Sequence, residues 1–320
     1  MNNVINGKGE PTDLKIYDIL KCFDAMWFKK AMNDLYDANV NDDNFSILCD
    51  LNKKAKIAIK TPVGITKREN FDQIIMQGGV WGPLQCSVQV DQIGKECLEN
   101  GKYLYKYKEC VDIPPLAMID DIIAVSKSGI DSVVQNSYIN TKILANKLEF
   151  GPTKCHKMHV TNGKNSCECL ELKVHGKEMK LTENEKYLGD KLSSDGKNEL
   201  NIEDRCNKGL GIKTQALGLL KEISLGNNYF EIGLMLRDSN LINGMLFNSE
   251  AWYNLTKSQV EKLEKIDELY LRSLLEAHSK TPLEALYIET GKILIRFILQ
   301  KKKIDVLASS CKFEGRLLTK

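Results

Sequence analysis

Pro115–Val125 reads PLAMIDDIIAV, nine apolar residues interrupted by the adjacent acids Asp120-Asp121. Two like charges inside an apolar run are costly unless something compensates them. The run is therefore read as two short strands joined tightly at Asp120-Asp121, where acidic residues are at home in a turn. A divalent cation is the most economical partner for such a pair. The dipeptide means little by itself, because a chain with 20 Asp residues contains one by chance, and Asp42-Asp43 is another. The setting separates them: Asp42-Asp43 lies in the polar stretch Asn41–Asn44 and is read as part of a solvated loop.

Working outward, Leu14–Leu20 alternates as a strand and carries Asp18, and Ala25–Tyr36 has helical spacing through Met26, Phe28, Met32 and Leu35. Asp24 stands where a negative charge favours a helix start. KIAIKT (Lys56–Thr61) and FDQIIM (Phe71–Met76) flank Pro62-Val63-Gly64 as a hairpin, and a glycine-rich loop leads into a helix over Leu84–Glu99. Tyr103, Tyr105 and Tyr107 alternate as in a strand, Ile130–Leu148 is a second long helix, and His156–Thr161 a further strand. The order β-α-ββ-α-ββ-α-β implies an α+β sheet with helices on one face. Strand-end carboxylates from distant segments, such as Asp18 and Asp120, are what two-metal phosphoryl transfer requires, with cations about 3.5–4 Å apart.

Beyond Asp195-Gly196 the periodicity is helical, from Ile202, Cys206 and Leu210 through Leu220, and again over Val260–Leu274. Three segments follow: 1–160 with the carboxylates, 161–196 as a hairpin segment, and 197–320 as an all-α region. Residues 1–150, 151–196 and 197–320 carry formal charges of −2, +1 and +3, for a net +2, so bulk charge announces no nucleic-acid binding. No secretory leader and no long uncharged apolar run is visible, and ten irregularly spaced cysteines fit free thiols. The expected setting is intracellular, nucleus or cytoplasm, with no membrane partner. Cys155, His156, His159, Cys167, Cys169 and His175 crowd together, but their spacings match no common zinc module, and thiols on a hairpin account for them better.

Five segments in order resemble the motifs of reverse transcriptases. Asp18-Ile-Leu-Lys-Cys-Phe23-Asp24 is similar to the first catalytic motif, Gln77-Gly78 through Pro83-Leu84 to the second, and Met118-Ile119-Asp120-Asp121 to the Asp-Asp hairpin, with Met118 where an aromatic residue is usual. Asn146–Lys154 resembles the later lysine-bearing segment, and Lys186-Tyr187-Leu188-Gly189 the primer grip. The nearest likeness is to the polymerases of non-LTR (LINE-type) retrotransposons. It implies a palm followed by an all-α thumb and helical extension, and RNA-directed DNA synthesis with two Mg²⁺ ions, or Mn²⁺, on Asp18, Asp120 and Asp121. It further implies that Phe23 gates the ribose 2′ position, and that Gln77 and Gly78 let backbone approach nucleotide and template. Lys154 is expected near the triphosphate, and Tyr187, Leu188 and Gly189 at the primer 3′ end. The implied partners are an RNA template, a DNA primer or nicked target DNA, and dNTPs.

In that family the fingers lie upstream of the first motif, and here 17 residues precede Asp18. The sequence therefore reads as truncated ahead of the fingers, with weak polymerisation expected of the chain alone. The competing reading is a remnant that only binds nucleic acid or serves structure, for which Arg296, Phe297 and Lys301–Lys303 offer a phosphate-facing stripe.

Overall fold

The computed structural model describes residues 11–53, 56–70, 81–107, 111–127, 129–160, 170–222 and 228–317. It is a mixed α+β architecture with one small sheet and many helices, divided into two compact units, one within Lys8–Glu183 and the other within Asn184–Lys320. The sequence-defined segment 161–196 is shared between them, and Gln77 and Gly78 lie outside the described residues.

The first unit begins with β1 (Thr12–Asp18), a short turn of helix α1 (Cys22–Ala25), α2 (Phe28–Asp37) and α3 (Asp42–Lys53). A small hairpin of β2 (Lys60–Thr61) and β3 (Gly64–Ile65) follows, then α4 (Gly82–Asn100) and the ribbon of β4 (Tyr105–Tyr107) and β5 (Val111–Ile113). Next come β6 (Leu116–Met118), β7 (Asp121–Lys127), α5 (Ile130–Ala145), β8 (His156–Val160) and the short strands β9 (Lys173–Val174), β10 (Lys177–Glu178) and β11 (Lys180–Leu181). The main sheet has the order β11-β8-β1-β7-β6, with β1 antiparallel to both neighbours and β11 parallel to β8. Cys86, Val90, Ile93 and Cys97, spaced four, three and four apart, form the buried stripe of α4. Cys86, Val90 and Ile93 join Tyr17, Ile19, Ile122 and Ala124 of the strands and Ile139 and Ile143 of α5 in one core.

Central strand β1 also buries charge. Asp13 and Lys15 are fully buried; Lys157 of β8 pairs with Asp13 at 3.1 Å, and His159 Nδ1 lies 2.7 Å from it. Lys15 Nζ donates to Ser126 Oγ at 2.7 Å and reaches Ser132 Oγ at 3.5 Å. Burial raises the Asp13 carboxyl, but hydrogen bonds from His159 and Ser132 and the Lys157 charge outweigh it and hold it below the usual range. Burial dominates at Lys15, opposed in part by the Asp13 charge, and its ammonium is pulled down to about 7.

Several local readings are corrected. KIAIKT closes on Gly64–Ile65, since the register Thr61↔Gly64 leaves Pro62-Val63 as a two-residue turn, and Phe71–Met76 lies outside the described residues. The helix expected over Ala25–Tyr36 is broken, because Met26 is extended and Trp27 leads into α2, which places Asp24 in the separate turn α1. The strand expected over Leu14–Leu20 ends at Asp18, with Leu20 half-exposed beyond it. Asp42-Asp43 opens α3 instead of lying in a loop, a position where the helix dipole favours negative charge. Of the histidine and cysteine cluster, His159 is held by Asp13, His175 Nε2 accepts from the Phe150 amide at 2.9 Å, and Cys155 is a buried thiol.

The second unit starts with the hairpin β12 (Asn184–Tyr187) and β13 (Asp190–Ser193) and continues as α6 (Glu199–Glu222), α7 (Tyr229–Leu236), a π-helical turn (Arg237–Ile242) and α8 (Asn243–Met245). A 3₁₀ turn (Ser249–Ala251) precedes α9 (Lys257–Leu274), α10 (Leu283–Thr290) and α11 (Ile295–Leu317). A capping box between Thr256 and Gln259 starts α9. In the core, Arg237 of the π-turn grips Asp267 with Nε–Oδ1 at 2.7 Å and Nη2–Oδ2 at 2.5 Å, and Tyr287 Oη donates to the same carboxylate at 2.8 Å. With both partners buried, removal of Arg237 leaves the Asp267 carboxylate without its charge partner, a loss of about 3–5 kcal/mol. Two cations of the stripe proposed to face phosphate are engaged within this unit: Arg296 is bidentate on Glu264 at 2.7 and 2.6 Å, and Lys302 donates to the Leu246 carbonyl at 2.8 Å. Among the described residues no helix is long and apolar enough to cross a membrane.

Lys15 yields a test of the sheet. Its pKa is near 10.4 in an unfolded chain and about 7 here, so between those values the unfolded chain binds the extra proton and stability rises with pH. Lys15→Met cannot take that proton. Its stability advantage over the parent, measured by urea unfolding at pH 7 and pH 9, is expected to shrink by on the order of 1 kcal/mol per pH unit; an unchanged gap would place the charge elsewhere.

Candidate active site

The register of β1 against β7 runs from Thr12↔Lys127 to Asp18↔Asp121, so the first and last of the predicted carboxylate segments meet at one end of the sheet. Directly opposed residues of an antiparallel pair stand on the same face about 4.5–5.5 Å apart. Met118↔Asp121 closes the β6–β7 hairpin through the two-residue turn Ile119-Asp120, and the Ile19 amide donates to the Asp120 carbonyl at 3.4 Å. Asp120-Asp121 thus sits at a hairpin turn beside the end of the Asp18 strand. Ile119 holds φ at +62°, a conformation that a β-branched residue avoids and that costs about 1–3 kcal/mol. Its side chain packs against the core, and the clamp from β1 holds the strained turn in place.

Asp18 is gripped from the other side. The Gly151 amide donates to the Asp18 carbonyl at 2.9 Å, and the turn from Gly151 to Lys154 brings Lys154 Nζ to 3.2 Å from each carboxylate oxygen. A Cβ at Gly151 would lie 3.4 Å from Asp18 Oδ2, so a bulkier residue would crowd that carboxylate. Burial, then the charges of Asp120 and Asp18, raise the Asp121 carboxyl, and Lys154 works against them. Lys154, expected from the resemblance near a triphosphate, here supplies the positive charge that the acidic cluster needs. Its signal in the sequence was the Gly-x-x-Lys turn.

The carboxylate oxygens suit a hard divalent cation, Mg²⁺ or Mn²⁺. Lys154 already stands where a positive charge is required, so the donor set fits such an ion in kind. Among the described residues, however, no three His, Cys, Asp or Glu side chains converge closely enough to enclose one metal. Phe23, in α1, is half-buried and packs against the core, so its ring helps to seat α1. Next to it, Cys22 Sγ and Cys86 Sγ lie 2.9 Å apart in the interior and join α1 to α4.

Tyr187, Leu188 and Gly189 belong to the second unit. Tyr187↔Asp190 brackets a two-residue turn in which Leu188 (φ +46°) and Gly189 (φ +88°) are both left-handed, the geometry of a tight hairpin. Arg205, unremarked in the sequence, anchors it: Nη2 donates to the Gly189 carbonyl at 2.9 Å and to Asp190 Oδ1 at 2.5 Å. Trp252 Nε1 lies 3.3 Å from the same oxygen, the Arg205 guanidinium lies 5.4 Å from the Phe247 ring centre, and Asn248 holds the Leu188 carbonyl at 3.0 Å. A Cβ at Gly189 would stand 3.2 Å from Phe247. The available clue was a charged residue on the buried stripe Ile202, Arg205 and Gly209 of α6.

No protein-family model matches the chain and no curated protein matches it. Solved structures similar to it include telomerase from Candida albicans with a TWJ fragment of telomeric RNA, at 11% identity over 92% of this chain and 50% of that one, TM-score 0.40. Telomerase from Candida tropicalis matches with the same kind of RNA fragment at 13% identity over 89% of this chain and 50% of that one (TM-score 0.46). In the apo form the figures are 10%, 95% and 48% (TM-score 0.48). The chain spans about half the length of those telomerase chains.

Arg205→Ala is expected to free the hairpin turn. Hydrogen–deuterium exchange should quicken over 185–193 while the amides of β1 and β7 keep their protection. Unchanged exchange at the hairpin would assign its order to the strand pairing alone.

Proposed function

We propose that the chain is the palm-and-thumb portion of an RNA-directed DNA polymerase of the non-LTR retrotransposon kind. The observation that carries this reading is the register Asp18↔Asp121, which gathers carboxylates from segments far apart in sequence at one end of the sheet. In this reading Asp18 and Asp120 hold Mg²⁺ or Mn²⁺, with Asp121 beside them. When bound, such ions ready a primer 3′-oxygen for attack and stabilise the departing pyrophosphate. The 3′-oxygen bonds to the α-phosphorus of a dNTP, the bond to pyrophosphate breaks, and the hydroxyl proton passes to solvent. Phosphoryl transfer leaves the protein chiefly positioning and charge stabilisation to supply. With a cation held by Asp18, the Lys154 ammonium now paired with that carboxylate would be free to meet the triphosphate. Phe23 is assigned to discrimination against a ribose 2′-hydroxyl, Gln77 and Gly78 to backbone approach, and Tyr187–Gly189 to the primer end on an RNA template.

A second reading, a nucleic-acid-binding remnant without catalysis, draws on the Lys154–Asp18 pair, in which a lysine already offsets the Asp18 charge. Primer extension on an RNA template with millimolar dNTPs and Mg²⁺ or Mn²⁺ decides between them. Slow addition is expected, falling about 10²–10³-fold in Asp120→Asn, the scale of losing one transition-state charge contact. Equal rates in the two proteins, or no addition by a chain that binds the primer–template, would favour the remnant.

A further inference from the structure

At the far end of β7 from Asp121 lies a cavity of about 440 Å³. Six residue steps along the strand put it about 20 Å from the carboxylates. Lys102, Lys106 and Lys127 line it, together with Tyr103 and Gln135, and Asp131 is the single acid among the lining side chains. The sequence beside it sets rings at every second position with two lysines between them, Lys102-Tyr103-Leu104-Tyr105-Lys106-Tyr107. Lys106 faces Asp112 across the β4–β5 ribbon, and Lys102 and Lys106 are exposed.

The wall is built and rigid. Tyr103 holds φ at +61° and stacks on Tyr138 of α5 with ring centres 4.3 Å apart. Gln135, 2% exposed, donates from Nε2 to the Tyr103 carbonyl at 2.7 Å and to the Val125 carbonyl at 3.0 Å. Its Oε1 is buried with no hydrogen-bond partner among the described residues. The site thus offers three cations at a cavity of nucleotide size, half-buried tyrosine rings spaced between them, and an acceptor lacking a donor.

We propose that this surface binds single-stranded RNA, the lysines meeting successive phosphates and the rings of Tyr103, Tyr105 and Tyr107 meeting unstacked bases. Contrary to the strand expected through all three, Tyr103 precedes β4, which holds Tyr105 and Tyr107. Cationic grooves interleaved with aromatic rings hold single strands by phosphate attraction and base stacking. A base amino group or ribose 2′-hydroxyl supplies the kind of donor that Gln135 Oε1 lacks. A purely anionic lipid surface would use the lysines but leave the rings and the acceptor without a role. The proposal extends the nucleic-acid reading to a second surface and makes no use of the carboxylates.

The test is fluorescence anisotropy of a labelled single-stranded RNA of about twenty nucleotides over a salt series, with the full chain and with the triple variant Lys102→Gln, Lys106→Gln, Lys127→Gln. Loss of three phosphate contacts should flatten the slope of log K against log salt by about 2 and weaken binding about 10-fold or more. An unchanged slope overturns the proposal, as does binding to vesicles containing phosphatidylserine in the absence of RNA binding. Should the triple variant fail to fold, photocrosslinking of 4-thiouridine RNA to the parent chain gives the answer: crosslinks in 102–107 support the site, and crosslinks confined to other segments reject it. Lysine-dependent binding without primer extension would reject the polymerase reading and leave this surface standing; the reverse would reject this surface alone.

Discussion

The pairing of β1 with β7 is the constraint on which the rest of the first unit depends. Because side chains alternate along a strand, a slip by one residue would turn every β1 side chain to the opposite face. Such a slip would separate Asp18 from Asp121, move Lys15 away from Ser126, and take the Tyr17 hydroxyl from Asn136, to which it now donates at 3.0 Å. The buried polar contacts therefore act as register markers. An apolar strand of the same length could bury as much surface in two registers, whereas misplaced charges in a low-dielectric interior are heavily penalised. The same pairing holds the strained Ile119 turn and so fixes where Asp120 stands.

Both units use buried charge, with different effect. In the sheet, Asp13, Lys15, Lys157 and His159 form a linked set in which one lysine has its ammonium pulled down to about 7. In the helical unit, Arg237 and Asp267 make a bidentate pair completed by Tyr287, and burial raises the Tyr287 hydroxyl further than the neighbouring Asp267 charge does. The first arrangement is sensitive to pH near neutrality. In the second, the Arg237 guanidinium stays charged at neutral pH.

Much of this was legible in the sequence where a local rule and the tertiary demand agree. The interrupted run Pro115–Val125 became a hairpin with its acids at the turn, and the long helices expected from spacing over 84–99 and 130–148 formed over 82–100 and 130–145. The helix over Ala25–Tyr36 was misread because Met26 and Phe28 keep helical spacing across a backbone that Met26 breaks by turning extended. The partner of KIAIKT was misread because a two-residue turn closes sooner than the apolar pattern indicates. Arg205 and the pairing of Lys154 with Asp18 escaped for a different reason. Each depends on a contact across more than ten residues of chain, which propensity and period do not encode. Motif resemblance located Lys154 but assigned it to a substrate; its neighbour in the fold is the carboxylate itself.

The central proposal is that Asp18 and Asp120, with Asp121 beside them, take a divalent cation that competes with the Lys154 ammonium now paired with Asp18. Titration of Mn²⁺ followed by the electron paramagnetic resonance signal of the free ion tests it most directly. The account predicts binding that weakens at least about 10-fold in Asp18→Asn and in Asp120→Asn and tightens in Lys154→Met, since the competing charge is gone. Mn²⁺ affinity unaltered by all three substitutions would contradict it.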